Sequence, residues 1–158
     1  MDFHPAIKVQ SGAVITHEAL WRGVWGVLSL SGTKEALVSA RFIRTDPETL
    51  RTEPLPAPWG TTPGRLTILL GGTEFQRSVW RALATLCQGE RISYRELAHR
   101  VGRPRAIRAV ASAVAANPLP VILPCHRVIR ADGVIGDYQG GSECKHRLLR
   151  AETPGVTA

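Results

Sequence analysis

The chain has 158 residues, 44% of them hydrophobic and 21% charged, which is enough apolar material for one compact domain or two small lobes and argues against wholesale disorder. No apolar run reaches the roughly 18 residues of a membrane span, and the start lacks the basic and greasy segments of a secretory leader, so a soluble, unexported protein is expected. Three cysteines, Cys87, Cys125 and Cys144, are an odd number without framework spacing; this argues against a disulfide scaffold and for a reducing, cytoplasmic setting.

The formal net charge of +7 is unevenly spread. Residues 1–73 carry 7 Lys and Arg against 6 Asp and Glu, whereas residues 74–158 carry 13 against 7, and 12 of those 13 are arginine. Arginine presents a planar fork that suits phosphates and base edges. Its concentration in one half points to a polyanionic partner more than to an evenly solvated surface.

The first part, 1–72, reads as β-rich. The segments 23–32 and 36–43 are apolar and flank Gly32-Thr33-Lys34-Glu35, a suitable hairpin connection, and 65–70 can add a strand. The stretch 45–64 holds five prolines and is expected to be an irregular connection. No internal repeat is visible.

The second part, 73–158, reads as helical. Thr73 can cap a helix in which Phe75, Val79, Leu83 and Leu86 recur at helical spacing, with Cys87 beside that stripe as expected core filler. Ser93 and Glu96 form a capping-box pair, Leu97 and Val101 give the next helix an apolar side, and Gly102 is placed to end it. A further helix is expected to begin at once, because proline is tolerated in a first turn and Pro104 stands there, with Asn117-Pro118 as its stop. Two short helices around a glycine turn suggest a helix-turn-helix.

Separated at 100° per residue, that last helix has Ile107, Val110, Ala111 and Val114 on a core side. Its opposite side carries Arg105, Ala109, Ser112 and Ala116, flanked by Arg108 and Ala113. This outward face is nearly bald, unlike helices that read bases in the major groove with long polar side chains. A bald helix fits a widened minor groove, with Arg108 as the one large group able to enter the base stack. It equally fits an alanine-rich helix packed on another part of the protein.

The segment Leu123-Pro124-Cys125-His126-Arg127-Val128-Ile129 places a thiol beside an imidazole. A thiol needs a base, a cation or a helix N-terminus to react as a thiolate. In an extended segment Cys125 and His126 would face opposite ways, so a local turn or a bridging water has to connect them. Cys-His alone is a weak signal.

The longer run 117–129, followed by Gly-Asp-Tyr-Gln-Gly-Gly at 136–141 and Leu-Leu-Arg-Ala-Glu at 148–152, resembles the O6-alkylguanine-DNA alkyltransferase family, whose active-site signature is Pro-Cys-His-Arg-Val. The resemblance covers roughly 73 to 152 without a gap. It implies a mixed α/β (α+β) fold, with a small ribonuclease H-like N-terminal lobe ahead of a mainly helical DNA-binding domain. By the same resemblance Cys125 is the acceptor of the alkyl group, and His126 withdraws its proton through a water. Glu152 orients His126, Asn117 hydrogen-bonds the active-site turn, and Tyr138 donates to the leaving guanine. Tyr94 crowds the 3′ phosphate of the target nucleotide, and Arg108 fills the gap left in the duplex. With Tyr94 and Arg108, the DNA-binding set is expected to include Arg95, Arg105, Ala106, Ala109 and Ser112. Tyr94, Pro120, Val128, Tyr138 and Gln139 are expected around the pocket. The proline-rich stretch 45–64 departs from the family, which often carries a helix there.

The implied function is a single-turnover methyltransferase acting on double-stranded DNA that contains O6-alkylguanine, with O4-alkylthymine as a further lesion. A monomer without cofactor and without a membrane partner is expected, nucleoid-associated if prokaryotic. No metal is expected either, because Cys144 and His146 do not supply four ligands. Two other classes compete with this reading. Non-catalytic alkyltransferase-like lesion binders lack the cysteine, so Cys125 argues against the first. A helix-turn-helix regulator is supported by 94–116 but not by the small outward residues.

Overall fold

The computed structural model describes residues 2–43, 51–61 and 65–153, in which a β-sheet lobe precedes a helical region. Strands β1 (Ala6–Val9), β2 (His17–Gly23), β3 (Gly26–Gly32), β4 (Leu37–Ile43) and β5 (Thr67–Leu70) form a sheet in the order β1-β5-β4-β3-β2. β2, β3 and β4 make an antiparallel meander, while β5 runs parallel to β4 and β1.

The expected hairpin is present as β3 and β4, and the expected third strand as β5. The segment 23–32 is not a single strand, however: Gly23 ends β2 and Gly26 begins β3, with Val24-Trp25 turning between them. Gly23 suits that turn, since a Cβ there would lie 2.4 Å from the Trp25 ring. β1 and β2 are additions to the sequence reading. In β2, Trp21 and Gly23 are buried while Glu18, Leu20 and Arg22 are exposed, the period of two expected of a strand with one solvated face.

The proline-rich connection is described over 51–61, where neither helix nor strand forms; residues 44–50 and 62–64 lie outside the described residues. Two indoles pin this connection. Trp21 Nε1 donates to the Glu53 carbonyl at 2.9 Å, and Trp59 Nε1, from within the connection, donates to the Thr33 carbonyl at 3.0 Å.

In the helical region, α1 (Glu74–Leu83) starts on a complete capping box between Thr73 and Gln76. Its regular turns stop at Leu83, before the apolar stripe does. Leu86 remains buried, but Cys87, expected as core filler, is exposed because the chain has already left the helix. α2 (Tyr94–Arg100) begins where Ser93 Oγ accepts the Glu96 N–H at 3.0 Å. Gly102 follows with φ +72°, a conformation costly for residues with a Cβ.

α3 (Ile107–Ala115) begins three residues later than the Pro104 signal implies. Residues 104–105 form a turn closed by the Ala106 N–H on the Arg103 carbonyl at 2.9 Å, so proline's tolerance of a first helical turn is a permission and not a start. Val110 and Val114 face the core as expected, and Arg105, Ala109, Ser112 and Ala116 are exposed. Ala113 departs from the expected outward flank. It is buried, and its carbonyl accepts the Trp80 indole N–H at 2.8 Å.

A 3-10 turn at Cys125–Arg127 leads into β7 (Val128–Ile129), which pairs in parallel with β6 (Ile92–Ser93), and α4 (Ser142–Glu152) closes the described chain. The buried core is continuous across both parts, running from Trp21, Leu28 and Leu30 to Leu83, Val110 and Leu148. Among the described residues no helix is long and apolar enough to cross a membrane.

Candidate active site

Asn117 ends the α3 segment and fastens the loop that carries the thiol. Its Nδ2 donates to the Leu123 carbonyl at 2.8 Å and its Oδ1 accepts the Leu119 N–H at 2.9 Å, both bonds buried. Within that loop Val121 has φ +73°, a sparsely populated state for a β-branched residue that costs about 1–3 kcal/mol and persists only when its surroundings over-determine it. The loop delivers Pro124 as the lead into the Cys125–Arg127 turn. At three residues per turn, adjacent side chains are not on opposite faces as they would be in a strand. A local turn, one of the two connections the sequence leaves open for Cys125 and His126, is therefore present.

Cys125 is 3% exposed. Burial pushes its thiol up from the ordinary value, opposed by Asn117, Lys145 and Tyr138. His126 is 1% exposed, and burial pulls its imidazole down against the upward influence of Glu152. His126 Nε2 lies 2.9 Å from Glu152 Oε1, while the buried Nδ1 has no hydrogen-bond partner among the described residues. In a neutral imidazole, Nε2–H donating to the carboxylate leaves Nδ1 with its lone pair.

Glu152 is the hub of this network. Burial pushes its carboxyl up, but the bonds from His126 and Arg127 outweigh burial and hold it at about 2. Arg127 Nε spans both carboxylate oxygens at 3.2 and 3.1 Å, and Nη2 reaches Oε1 at 2.7 Å. Nη1 donates to the Leu86 carbonyl at 2.6 Å and lies 2.9 Å from Asp2 Oδ1. Sequence reasoning gives Arg127 and Asp2 no role, although Arg127 adjoins the Cys-His pair. Asp2 has no comparable local signal, because only the fold brings the chain's beginning to this turn.

Tyr138 stands edge-on to His126 at a centroid distance of 6.5 Å and to Phe42 at 5.5 Å. Its buried hydroxyl has no hydrogen-bond partner among the described residues, and its acidity is held far down, first by burial and then by Cys125. The β6–β7 pairing sets Tyr94 beside the same space. A cavity of about 470 Å³ is lined by Cys125, Tyr94, Tyr138 and Gln139, together with Ala111, Val114 and Asp137 among others. Pro120 and Val128, expected around the pocket, are buried and are not among its described lining residues. Val128 instead packs in β7, where the ladder turns its side chain into the core. Ala111, expected toward the core, is half-buried and contributes to the cavity wall.

Lys145 carries no signal in the sequence that sets it apart. It is fully buried on α4, and its Nζ donates to the Val128 carbonyl at 2.7 Å. Burial pulls its ammonium down, while Cys125 and Asp137 pull it up, so a cation faces the thiol's surroundings from the core. Cys144 and His146, by contrast, diverge. Cys144 is buried and bonded to the Trp25 carbonyl, with its thiol pushed up to about 11, first by burial, while His146 is exposed. On the α2–α3 face, Arg95, Arg105, Arg108, Ala109 and Ser112 are exposed and Ala106 is half-buried.

A buried thiol backed by an imidazole and a carboxylate, on a mixed α/β scaffold with an arginine-bearing helical face, defines a cysteine-nucleophile class of protein. Residues 74–154 match the family model for the 6-O-methylguanine DNA methyltransferase DNA-binding domain. The chain is 38% identical over 147 residues to a methylated-DNA--protein-cysteine methyltransferase of Mycolicibacterium paratuberculosis, covering 80% of this chain and 86% of that protein. It is also 52% identical over 91 residues to the bifunctional transcriptional activator/DNA repair enzyme Ada of Escherichia coli, with 58% of this chain and only 26% of Ada aligned. Among solved structures, Mycobacterium tuberculosis OGT in complex with DNA superposes with a TM-score of 0.72 at 34% identity, covering 87% of this chain and 92% of that one. The chain belongs to the methylated-DNA--protein-cysteine methyltransferase family.

Proposed function

We propose that this protein repairs double-stranded DNA by taking the alkyl group from guanine O6 onto the sulfur of Cys125, once per molecule. The observation that carries this reading is the buried Cys125–His126–Glu152 arrangement, with His126 Nδ1 unpartnered among the described residues and Nε2 engaged by the carboxylate. The relatives named for this chemistry, and the solved relative bound to DNA, support the same partner and reaction.

The thiol proton passes through a water to His126 Nδ1, Glu152 stabilises the resulting imidazolium, and Arg127 holds Glu152 ionised. The thiolate attacks the alkyl carbon as the carbon–O6 bond breaks, and the electron pair stays on the guanine. Tyr138, kept protonated by burial, donates its hydroxyl hydrogen to that developing anion. The proton on His126 then restores the phenol, so that the net proton given up by the thiol ends on the guanine. A thioether has no ionisable sulfur, so the reaction ends there.

Guanine O6 lies inside the duplex, so the nucleotide must first leave the stack at a cost of a few kcal/mol, less for a poorly paired lesion. In this reading α2, the Gly102 turn and α3 act as a helix-turn-helix on the minor groove. Tyr94 presses on the target's 3′ phosphate and Arg108 enters the vacated stack. Arg95, Arg105, Ala106, Ala109 and Ser112 approach the backbone. Residues 73–158 hold the chemistry and 1–72 form a ribonuclease H-like brace. The protein acts as a monomer, with O4-alkylthymine as a second lesion.

Intact mass spectrometry after incubation with duplex containing O6-methylguanine tests the reading. One added methyl per chain is expected, mapped to the peptide containing Cys125 and lost in Cys125→Ser. An unchanged mass in the folded, reduced protein, or a methyl retained by Cys125→Ser, would overturn it.

A further inference from the structure

A second group of ligating side chains lies behind the active-site turn. Asp2, His4 and Cys87 each offer one donor atom, and these atoms all lie within 4.8 Å of one another. We propose that they form a binding site for one divalent cation of the zinc class, outside the alkyl-transfer pocket and joined to the active-site network through the Asp2–Arg127 pair. The sequence reading expects no metal anywhere, arguing from Cys144 and His146; this group departs from that expectation.

The donor set fits that cation. A soft thiolate, a borderline imidazole and a hard carboxylate are the three donor types zinc accepts, and a water completes a tetrahedron. Zinc bond lengths of about 2.0–2.3 Å put tetrahedral ligand atoms roughly 3.3–3.7 Å apart. From a separation of at most 4.8 Å, small side-chain rotations close the site. All three residues are exposed, so a hydrated ion can reach them.

The surroundings already hold the ligands in place. His4 Nδ1 lies 3.2 Å from the Ala84 carbonyl, and as an N–H donor it leaves Nε2 for the ion. This is the outer-shell arrangement that fixes metal-binding imidazoles. Asp2 Oδ2 accepts the Gln88 N–H at 3.0 Å and Oδ1 faces Arg127 at 2.9 Å, which orients the carboxylate. The loop carrying Cys87 is held by its N–H on Glu90 Oε2 at 3.0 Å. Arg127 and the N-terminal amine are opposing positive charges that act on Asp2, offset by its carboxylate and by the thiolate that forms on binding. The Cys87 thiol proton is released to solvent as the metal–sulfur bond forms.

Cobalt(II) titration of the full, reduced, tag-free chain provides the probe, because a thiolate–cobalt bond gives a near-ultraviolet charge-transfer band. We expect the band to saturate at one equivalent, to be competed away by zinc, to persist in Cys125→Ser and to vanish in Cys87→Ser. His4→Ala and Asp2→Asn each should weaken binding by at least about tenfold, since even outer-shell changes cost roughly 10–100-fold. Thermal unfolding without metal checks that each variant is folded. An absent band in the folded wild type, or a band retained by Cys87→Ser, overturns the site; loss of methyl transfer with the cobalt band intact would sink the proposed repair function alone.

Discussion

Burial at Cys125 opposes the chemistry proposed for its sulfur, since it favours the neutral thiol at rest. The Asn117 bond, the charge of Lys145 and Tyr138 work in the other direction, as does the base proposed at His126. Lys145→Met keeps most of the side-chain volume and removes the cation. Methyl-transfer rates measured by single-turnover quench should fall severalfold at neutral pH and recover as pH rises, because the thiolate is the nucleophile. A loss that stays the same at every pH would indicate a packing effect instead. Glu152 gives a second prediction. Its carboxyl is held at about 2 against an ordinary 4.5, so its contribution to stability is full above 4.5 and is lost as pH falls toward 2. Urea unfolding should show Glu152→Gln less stable than the wild type at neutral pH, on the order of 3 kcal/mol because the Arg127 charge loses its main partner. That difference should shrink across the acid window. Arg127 itself shows the limit of local reading: its position beside Cys-His is visible in the sequence, but its service to Glu152 depends on α4 returning to the turn.

Among the elements, those legible in the sequence have strong local signals. The Thr73 cap and the 3.6-residue stripe mark α1, and Ser93 with Gly102 bounds α2. The ends are less legible. Leu86 continues the apolar spacing yet lies beyond the last helical turn, so the stripe points Cys87 into the core when the residue is exposed. Ala113 reads as outward because alanine carries little hydrophobic signal; the Trp80 indole that covers it comes from α1. For the face that remains, Arg108→Ala should slow repair of O6-methylguanine in duplex more than reaction with a free O6-benzylguanine base. Paired rate measurements check this, and equal losses on both substrates would remove Arg108 from nucleotide extrusion.

For the whole molecule, the β-sheet lobe braces a site to which its own sequence lends no recognisable residue. The Ala40 N–H donates to the Pro118 carbonyl at 2.8 Å, and Phe42 meets Tyr138 edge-on. Arg147 Nε reaches the Val24 carbonyl at 2.9 Å, and Asp2 closes on Arg127. The arginine excess of residues 74–158 belongs to the same scale, because phosphate neutralisation acts through the summed field. Affinity for undamaged duplex should fall steeply with salt. Replacing Arg95 or Arg105 by alanine should flatten the slope of log affinity against log salt by about one unit for each phosphate that is no longer neutralised. Fluorescence anisotropy across a salt series measures it, and a flat wild-type response would contradict a phosphate-dominated interface.

The candidate nucleophile and the family resemblance are legible in the chain because the Pro-Cys-His-Arg-Val run is local, and the order of β-rich before helical parts because caps and periodicities are. Tertiary structure alone decided that Arg127 and Asp2 extend the His126–Glu152 network, that Lys145 lies buried near the thiol, that β1 becomes a strand against β5, and that Asp2 and His4 meet Cys87. Each of these depends on contacts between segments far apart in sequence. Their partners are selected by packing and burial, which no single stretch encodes.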